Sequence, residues 1–238
     1  MERYLNIILP KVRNSSYFSN YLHLLHGYIM AVKSISPRYE NFFLQGSTEK
    51  EARMYKVPDD FSQFMKFLSK TERYPNIEDT FFILGLWNGM ELQTEGRSFQ
   101  FNFSTEDSNN LYFTKLASAK FHFPLFHDKF DDEITREIHQ LVPLAFDTLP
   151  CSFITEYDFN YISQYDGIPD LIVGSTLYVR KIDMNGIEGI QHDINDELVA
   201  LSCINDKFDS GNPEHVKKAH AWEKKLLNTP EFQQLLLR

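Results

Sequence analysis

The sequence holds only two cysteines in 238 residues, Cys151 and Cys203, and no CxxC pair. That excludes a disulfide framework and the usual zinc and thiol-redox arrangements, leaving two reduced, partly buried thiols. Long apolar runs are also lacking. The longest, around Phe81 to Trp87, falls far short of the ~20 residues a membrane span needs. The start, Met1 to Pro10, has no charged region followed by a long apolar core and ends in proline, so it does not read as a signal peptide. The expected location is the cytoplasm, with no membrane partner. Glycine and proline number ten each, without the clustering that would mark a linker, and no internal repeat is present.

Catalytic signatures are missing as well: there is no GxSxG, GxxxxGK, GxGxxG or HExxH. His23 and His26 stand one helical turn apart, but tyrosine and leucine surround them and no carboxylate is near. His122 and His127 flank Phe123-Pro124-Leu125-Phe126, which fits no two-ligand spacing. His215 and His220 lie roughly 140° apart around a helix. Neither a metal nor another cofactor is expected. Pro169-Asp170 followed by Glu223-Lys224-Lys225 spells the letters of a Mg²⁺-dependent nuclease. That chemistry needs both acids beside one another on strands, whereas Glu223 and Lys225 fall on a capped helix. Paired carboxylates of the glycosidase kind are not selected by any spacing. No catalytic activity is expected.

Aromatic residues and acids are plentiful. The 21 phenylalanines and 12 tyrosines promise an aromatic core, and 33 acids against 24 bases give a net charge of −9. The charge is unevenly placed. Residues 1–124 are close to neutral at +1, residues 125–210 carry −12, and residues 211–238 carry +2. Only five bases, Lys129, Arg136, Arg180, Lys181 and Lys207, interrupt the acidic stretch. Attraction to DNA or RNA needs a basic face, so nucleic acid is not an expected partner. A localised acidic surface instead suits a basic protein, whose approach it steers.

Periodicity predicts mixed elements. Tyr4 to Leu9 reads as a strand stopped by Pro10. Phe18, Leu22, Leu25 and Ile29 recur at helical spacing from Ser15 to Ser34. Pro58-Asp59 opens a second helix with Phe61, Phe64, Met65 and Leu68. Thr80 to Leu86 is a strand, and Ser98-Phe99-Gln100-Phe101-Asn102-Phe103 alternates with period two, turning at Glu106 to Asn110 and returning over Leu111 to Leu116 as a hairpin. A helix follows over Asp131 to Leu141. Ser152–Tyr161, Leu171–Ile182 and Glu197–Ile204 are strands, and Asn212-Pro213-Glu214 starts a final long helix, followed by a short one at Thr229-Pro230-Glu231. Strands and helices come in blocks. The expected fold is one α+β domain over 1–238, with a mostly antiparallel or mixed sheet packed against helices.

Three pieces in the last third carry a resemblance. They are Pro169-Asp170-Leu171-Ile172-Val173-Gly174 continuing to Tyr178, the strand Glu197-Leu198-Val199-Ala200-Leu201-Ser202, and Phe208-Asp209 before Asn212-Pro213-Glu214-His215-Val216 with Ala219 and Leu226. In this order they resemble the immunity protein 52 family of bacterial polymorphic-toxin and type VI secretion systems. The resemblance covers residues 165–228. It departs from the family at Ser175, where the family has a bulky aromatic after the glycine, and at Asp196-Glu197, where the family has a Gly-Thr lead. It implies a cytoplasmic immunity protein that neutralises a cognate antibacterial toxin by stoichiometric binding. The implied partner is a nuclease of restriction-endonuclease fold.

A nuclease site is basic because it holds phosphates, so acids in loops or at element ends are the candidate toxin-binding residues: Asp183, Glu188, Asp193, Asp196, Glu197, Asp206 and Asp209. Phe208, Asn212, Pro213 and Glu214 read as packing and capping residues. Two other readings stay open: a non-catalytic interaction module of another pathway, and a small hydrolase.

Overall fold

A computed structural model describes residues 2–45, 50, 53–71, 81–90, 96–105, 117–123, 131–164, 171–205 and 207–237. Among these residues nine strands form one sheet: β1 (Arg3–Leu9), β2 (Phe43–Leu44), β3 (Phe81–Trp87), β4 (Ser98–Ser104), β5 (Ala117–Phe123), β6 (Phe153–Asp158), β7 (Thr176–Arg180), β8 (Ile190–Asp193) and β9 (Leu198–Ser202). Their order is β2-β3-β4-β5-β1-β6-β7-β9-β8, and every neighbouring pair is antiparallel. Helices α1 (Phe18–Lys33), α2 (Phe61–Lys70), α3 (Asp131–Thr148), α4 (Phe159–Ser163), α5 (Pro213–Leu227) and α6 (Pro230–Leu237) pack around it. The fold is α+β, as expected from the sequence. No helix among the described residues is long and apolar enough to cross a membrane.

Period-two alternation assigns the two faces. Leu5, Ile7 and Leu9 of β1, Phe121 and Phe123 of β5, and Phe99, Phe101 and Phe103 of β4 face α1 and α3 in the main core. Phe99 and Phe121 are register partners, with ring centroids 4.0 Å apart. Phe18, Leu22, Leu25 and Ile29 supply the α1 side, as their spacing predicts. On the opposite face, Phe153, Leu177, Val179, Val199 and Leu201 are covered by Leu226 of α5 and Phe232 and Leu235 of α6. The same face of β1, β5 and β4 carries polar residues instead: Asn6, Ser118, Lys120, His122, Ser98, Gln100 and Asn102.

Several boundaries move. Helix α2 begins at Phe61, two residues beyond the expected opening, because the Asp60 carboxylate caps it by accepting from Gln63 N at 2.9 Å. Helix α3 continues past Leu141 to Thr148 through Pro143. A mid-helix proline costs ~3 kcal/mol, but Leu141, Val142, Ala145, Phe146 and Leu149 are all buried in the core, each worth about 1.5–3 kcal/mol for the larger side chains. Packing wins. The hairpin's expected turn and return, residues 106–116, lie outside the described residues, as do Thr80 and Pro169-Asp170. The described strand that pairs with β4 is β5, at Ala117–Phe123. The strand expected over Leu171–Ile182 pairs only from Thr176, because Gly174 makes a close bridge to Glu156 at φ +72°, where an added Cβ would lie 2.5 Å from the Glu156 carbonyl oxygen.

Two buried carboxylates tie the acidic stretch to the N-terminal half. Glu137 of α3 accepts from Arg97 Nε at 3.0 Å, Arg97 Nη2 at 3.1 Å and Tyr39 OH at 2.6 Å, and pairs with Arg38. Arg97 is 1% exposed and lies over the Phe123 ring. Glu156 of β6 pairs with Arg3 and accepts from Tyr178 OH at 2.6 Å. Burial pushes both carboxyls up, but the arginines and tyrosine hydroxyls outweigh it and hold both below the usual range. Burial dominates at Asp158 and raises it.

Breaking the Glu137 cluster leaves a charge in the core, so Glu137→Ala is expected to cost ~3–5 kcal/mol in denaturant unfolding. The pH dependence has a defined sign. Glu137 and Glu156 contribute fully above the unfolded carboxylate value and lose that contribution as pH falls through their depressed folded values, while Asp158 works the other way. Unfolding midpoints followed from neutral to acid pH are expected to fall, with a shallower acid limb in Glu137→Gln.

Candidate functional site

The sheet's last three strands build the surface where most candidate acids gather. Strand β7 ends at Arg180, a 3-10 turn follows over Lys181–Asp183, and the chain crosses back to start β8 beside Ser202. Met184 and Ile187 seat that crossover on the α5–α6 core. Gly186 turns it at φ +78°, a backbone conformation that favours glycine, beside the Glu231 side chain. Strands β8 and β9 then form a hairpin. Its turn is closed by Asn195, whose side-chain oxygen accepts from Glu197 N at 2.9 Å and Leu198 N at 2.8 Å. An Asn in this role fixes the backbone so that its neighbours project outward.

Asp193, Asp196 and Glu197 therefore sit together, all exposed, at one hairpin tip. Asp183, half-buried, ends the adjoining turn. Two bases lie among them. Lys181 Nζ is 2.9 Å from Asp193, and Arg180 is 3.9 Å from Glu197 while donating to the Phe146 carbonyl at 2.7 Å. The tip keeps four acids against two bases. Exposed pairs of this kind are worth about 0–1 kcal/mol, so they do little to lock the acids in place.

The remaining candidates lie elsewhere. Glu188 precedes β8 at the far end of the hairpin and pairs with Lys225 of α5. Asp209 is spent on local structure: its carboxylate accepts from Gly211 N at 2.8 Å and its carbonyl from Asn212 N at 3.0 Å. It lies, exposed, beside the capping residues Asn212, Pro213 and Glu214, and Asn212 caps α5 by accepting from Glu214 N. Phe208 packs edge-on against Tyr161. Asp206 lies outside the described residues.

The −12 stretch is also less of a surface than its sequence suggests. Glu137, Glu156 and Asp158 are buried, and Glu133 pairs with Arg38. Charge opposition between the halves is partly internal pairing.

The residue that sequence reasoning missed is Ile182. It is 86% exposed in the middle of the Lys181–Asp183 turn, beside the acidic tip. Periodicity counted it as the end of a strand. Its exposure follows from Asp183 and Gly186 turning the chain, a signal that hydropathy does not carry.

The nuclease-like letters have a structural use. Glu223 is 4% exposed and accepts from Val173 N at 2.7 Å and Tyr161 OH at 2.6 Å, so α5 and the 171–173 segment do meet, through a bond that fixes the backbone. Lys225 turns the other way, to Glu188. His26 Nε2 is 3.1 Å from the Pro58 carbonyl, and His23 stands edge-on to Phe61. Among the described residues no group of three His, Cys, Asp or Glu is placed to hold a metal.

No family model matches the chain, and no curated protein matches its sequence. Among solved structures, the Pseudomonas aeruginosa T6SS protein PA0821 is similar over 93% of this chain and 72% of that chain, with a TM-score of 0.47 and 10% sequence identity.

Proposed function

We propose that this chain is an immunity protein: it binds a cognate antibacterial toxin, a basic nuclease of restriction-endonuclease fold, and neutralises it stoichiometrically within the cytoplasm, without turnover of its own. The observation that carries the reading is Ile182, 86% exposed on a turn that ends in Asp183 and joins, through Lys181 and Asp193, the hairpin tip that bears Asp196 and Glu197. Interfaces draw most of their energy from a few apolar or aromatic anchors ringed by polar groups. An exposed branched side chain beside surplus acid supplies both parts. The acids speed the approach of a basic surface, and the anchor slows its departure. The type VI secretion context and the toxin's fold rest on the family resemblance of residues 165–228.

The test begins with co-expression. The product of the neighbouring gene is expected to be toxic alone, harmless alongside this protein, and to copurify with it in fixed ratio. Absence of both protection and complex rejects the reading; a complex without protection favours an interaction module of another pathway.

Two variants then examine the surface. Reversing Asp193, Asp196 and Glu197 to lysine is expected to slow association and flatten its salt dependence, while shifting stability by no more than ~1 kcal/mol. Ile182→Ala is expected to raise the dissociation rate by about tenfold to a hundredfold with little change in association. Stopped-flow mixing across a salt series measures both. Unchanged rates in both variants remove this tip from the interface.

A further inference from the structure

The polar half of the sheet's second face has an organisation that the fold does not require. Register aligns Thr155 of β6, Asn6 of β1, Lys120 of β5 and Gln100 of β4 in one cross-strand row. The next row toward the N-terminus of β1 holds Tyr157, Tyr4 and His122. Tyr4 stacks on His122 at 4.8 Å and on Tyr157 at 5.5 Å. These rings form a wall along one side of the row.

Lys120 leans against that wall. Its ammonium is 4.5 Å from the Tyr4 ring centroid and 5.5 Å from that of Tyr157. Two strand spacings, about 9–10 Å, separate its backbone from Thr155, yet the side chain reaches a ring on Thr155's own strand. No carboxylate among the described residues pairs with it, and burial alone lowers its pKa. The acid at the edge of the group, Glu2, is already engaged: it accepts from Tyr4 OH at 2.8 Å and lies 3.2 Å from His122 Nε2.

A second observation is independent of the lysine. Thr155 is 0% exposed, and its hydroxyl has no hydrogen-bond partner among the described residues. An unpaired buried hydroxyl costs ~1–3 kcal/mol. Ring faces return only about 0.5–2 kcal/mol to a cation taken from water. An oxyanion between the two groups would answer both deficits, accepting from the hydroxyl and neutralising the ammonium. Asn6, 6% exposed in the same row, adds an amide.

We propose that this row is a binding site for a small oxyanion-bearing ligand, a carboxylate or phosphate, with Lys120 as its charge partner, Thr155 as a hydroxyl donor and the Tyr4–Tyr157 pair as its wall. The site is remote in sequence from the acidic hairpin tip and does not depend on a protein partner.

The experiment titrates the full chain with inorganic phosphate and, separately, with benzoate at matched ionic strength, following calorimetric heat and thermal midpoint. At least one probe is expected to bind and raise the midpoint beyond the chloride control. Preference for phosphate marks a phosphate site, and preference for benzoate marks a carboxylate whose ring lies against the tyrosines. Lys120→Met is expected to weaken binding by about tenfold or more and to be at least as stable as the unsubstituted protein without ligand. Thr155→Val, nearly isosteric, is expected to fold and to bind more weakly, and carries the test alone if Lys120→Met does not fold. No response to either probe beyond chloride overturns the proposal. Undiminished binding in Thr155→Val also overturns it, as does undiminished binding in a folded Lys120→Met.

Discussion

Glu137 is the constraint on which the rest of the molecule depends. It gathers Arg97 from the lead into β4 and the neighbours Arg38 and Tyr39 from one 3-10 turn, and holds them against α3. A carboxylate so buried is tolerable only while its partners are present, so the cluster fixes how α3 lies over β4 and β5. Arg97 is fixed on both sides, its own backbone N–H bonding Asn88 and its guanidinium resting on Phe123. The Glu156–Arg3–Tyr178 group does the same work across β1, β6 and β7. The basic side of each cluster comes from residues before 124 and the carboxylate from residues after it.

That pairing gives the charge asymmetry of the sequence a second meaning. Some of the acidity is the unseen half of internal ion pairs, and some lies at the surface, at the hairpin tip. The two are opposite in energetic character. Inside, removing one carboxylate strands an arginine. At the tip, the ion pairs are exposed and the acids remain available to a visitor.

Much of the fold was legible because burial has a period. The Phe99, Phe101 and Phe103 alternation announced a strand with one face inward, and Phe18, Leu22, Leu25 and Ile29 announced α1. The Asn212-Pro213-Glu214 start of α5 was legible because capping is local chemistry. Other features were not. The continuation of α3 through Pro143 is decided by tertiary packing, which no local propensity records. Strand β8 is four residues with one half-buried position and three exposed ones, so it has no hydrophobic signal at all. At the candidate surface, sequence supplied the acids but could not show that Asp193 and Asp196 share one hairpin tip while Asp209 builds a turn elsewhere. It also hid Ile182, since an exposed isoleucine and a buried one are the same letter.

The position of β1 has a consequence for how the chain reaches this state. It precedes the other described strands in the chain, yet its neighbours are β5 and β6. On the ribosome it must wait through the synthesis of some hundred and fifty further residues before Phe153–Asp158 arrives, on the order of ten seconds at cellular elongation rates. The edge of β1 that β6 takes stays without its partner strand for that whole interval. Such long sequence separations make for slow closure, and until it closes the waiting edge of β1 is a template on which another chain could pair.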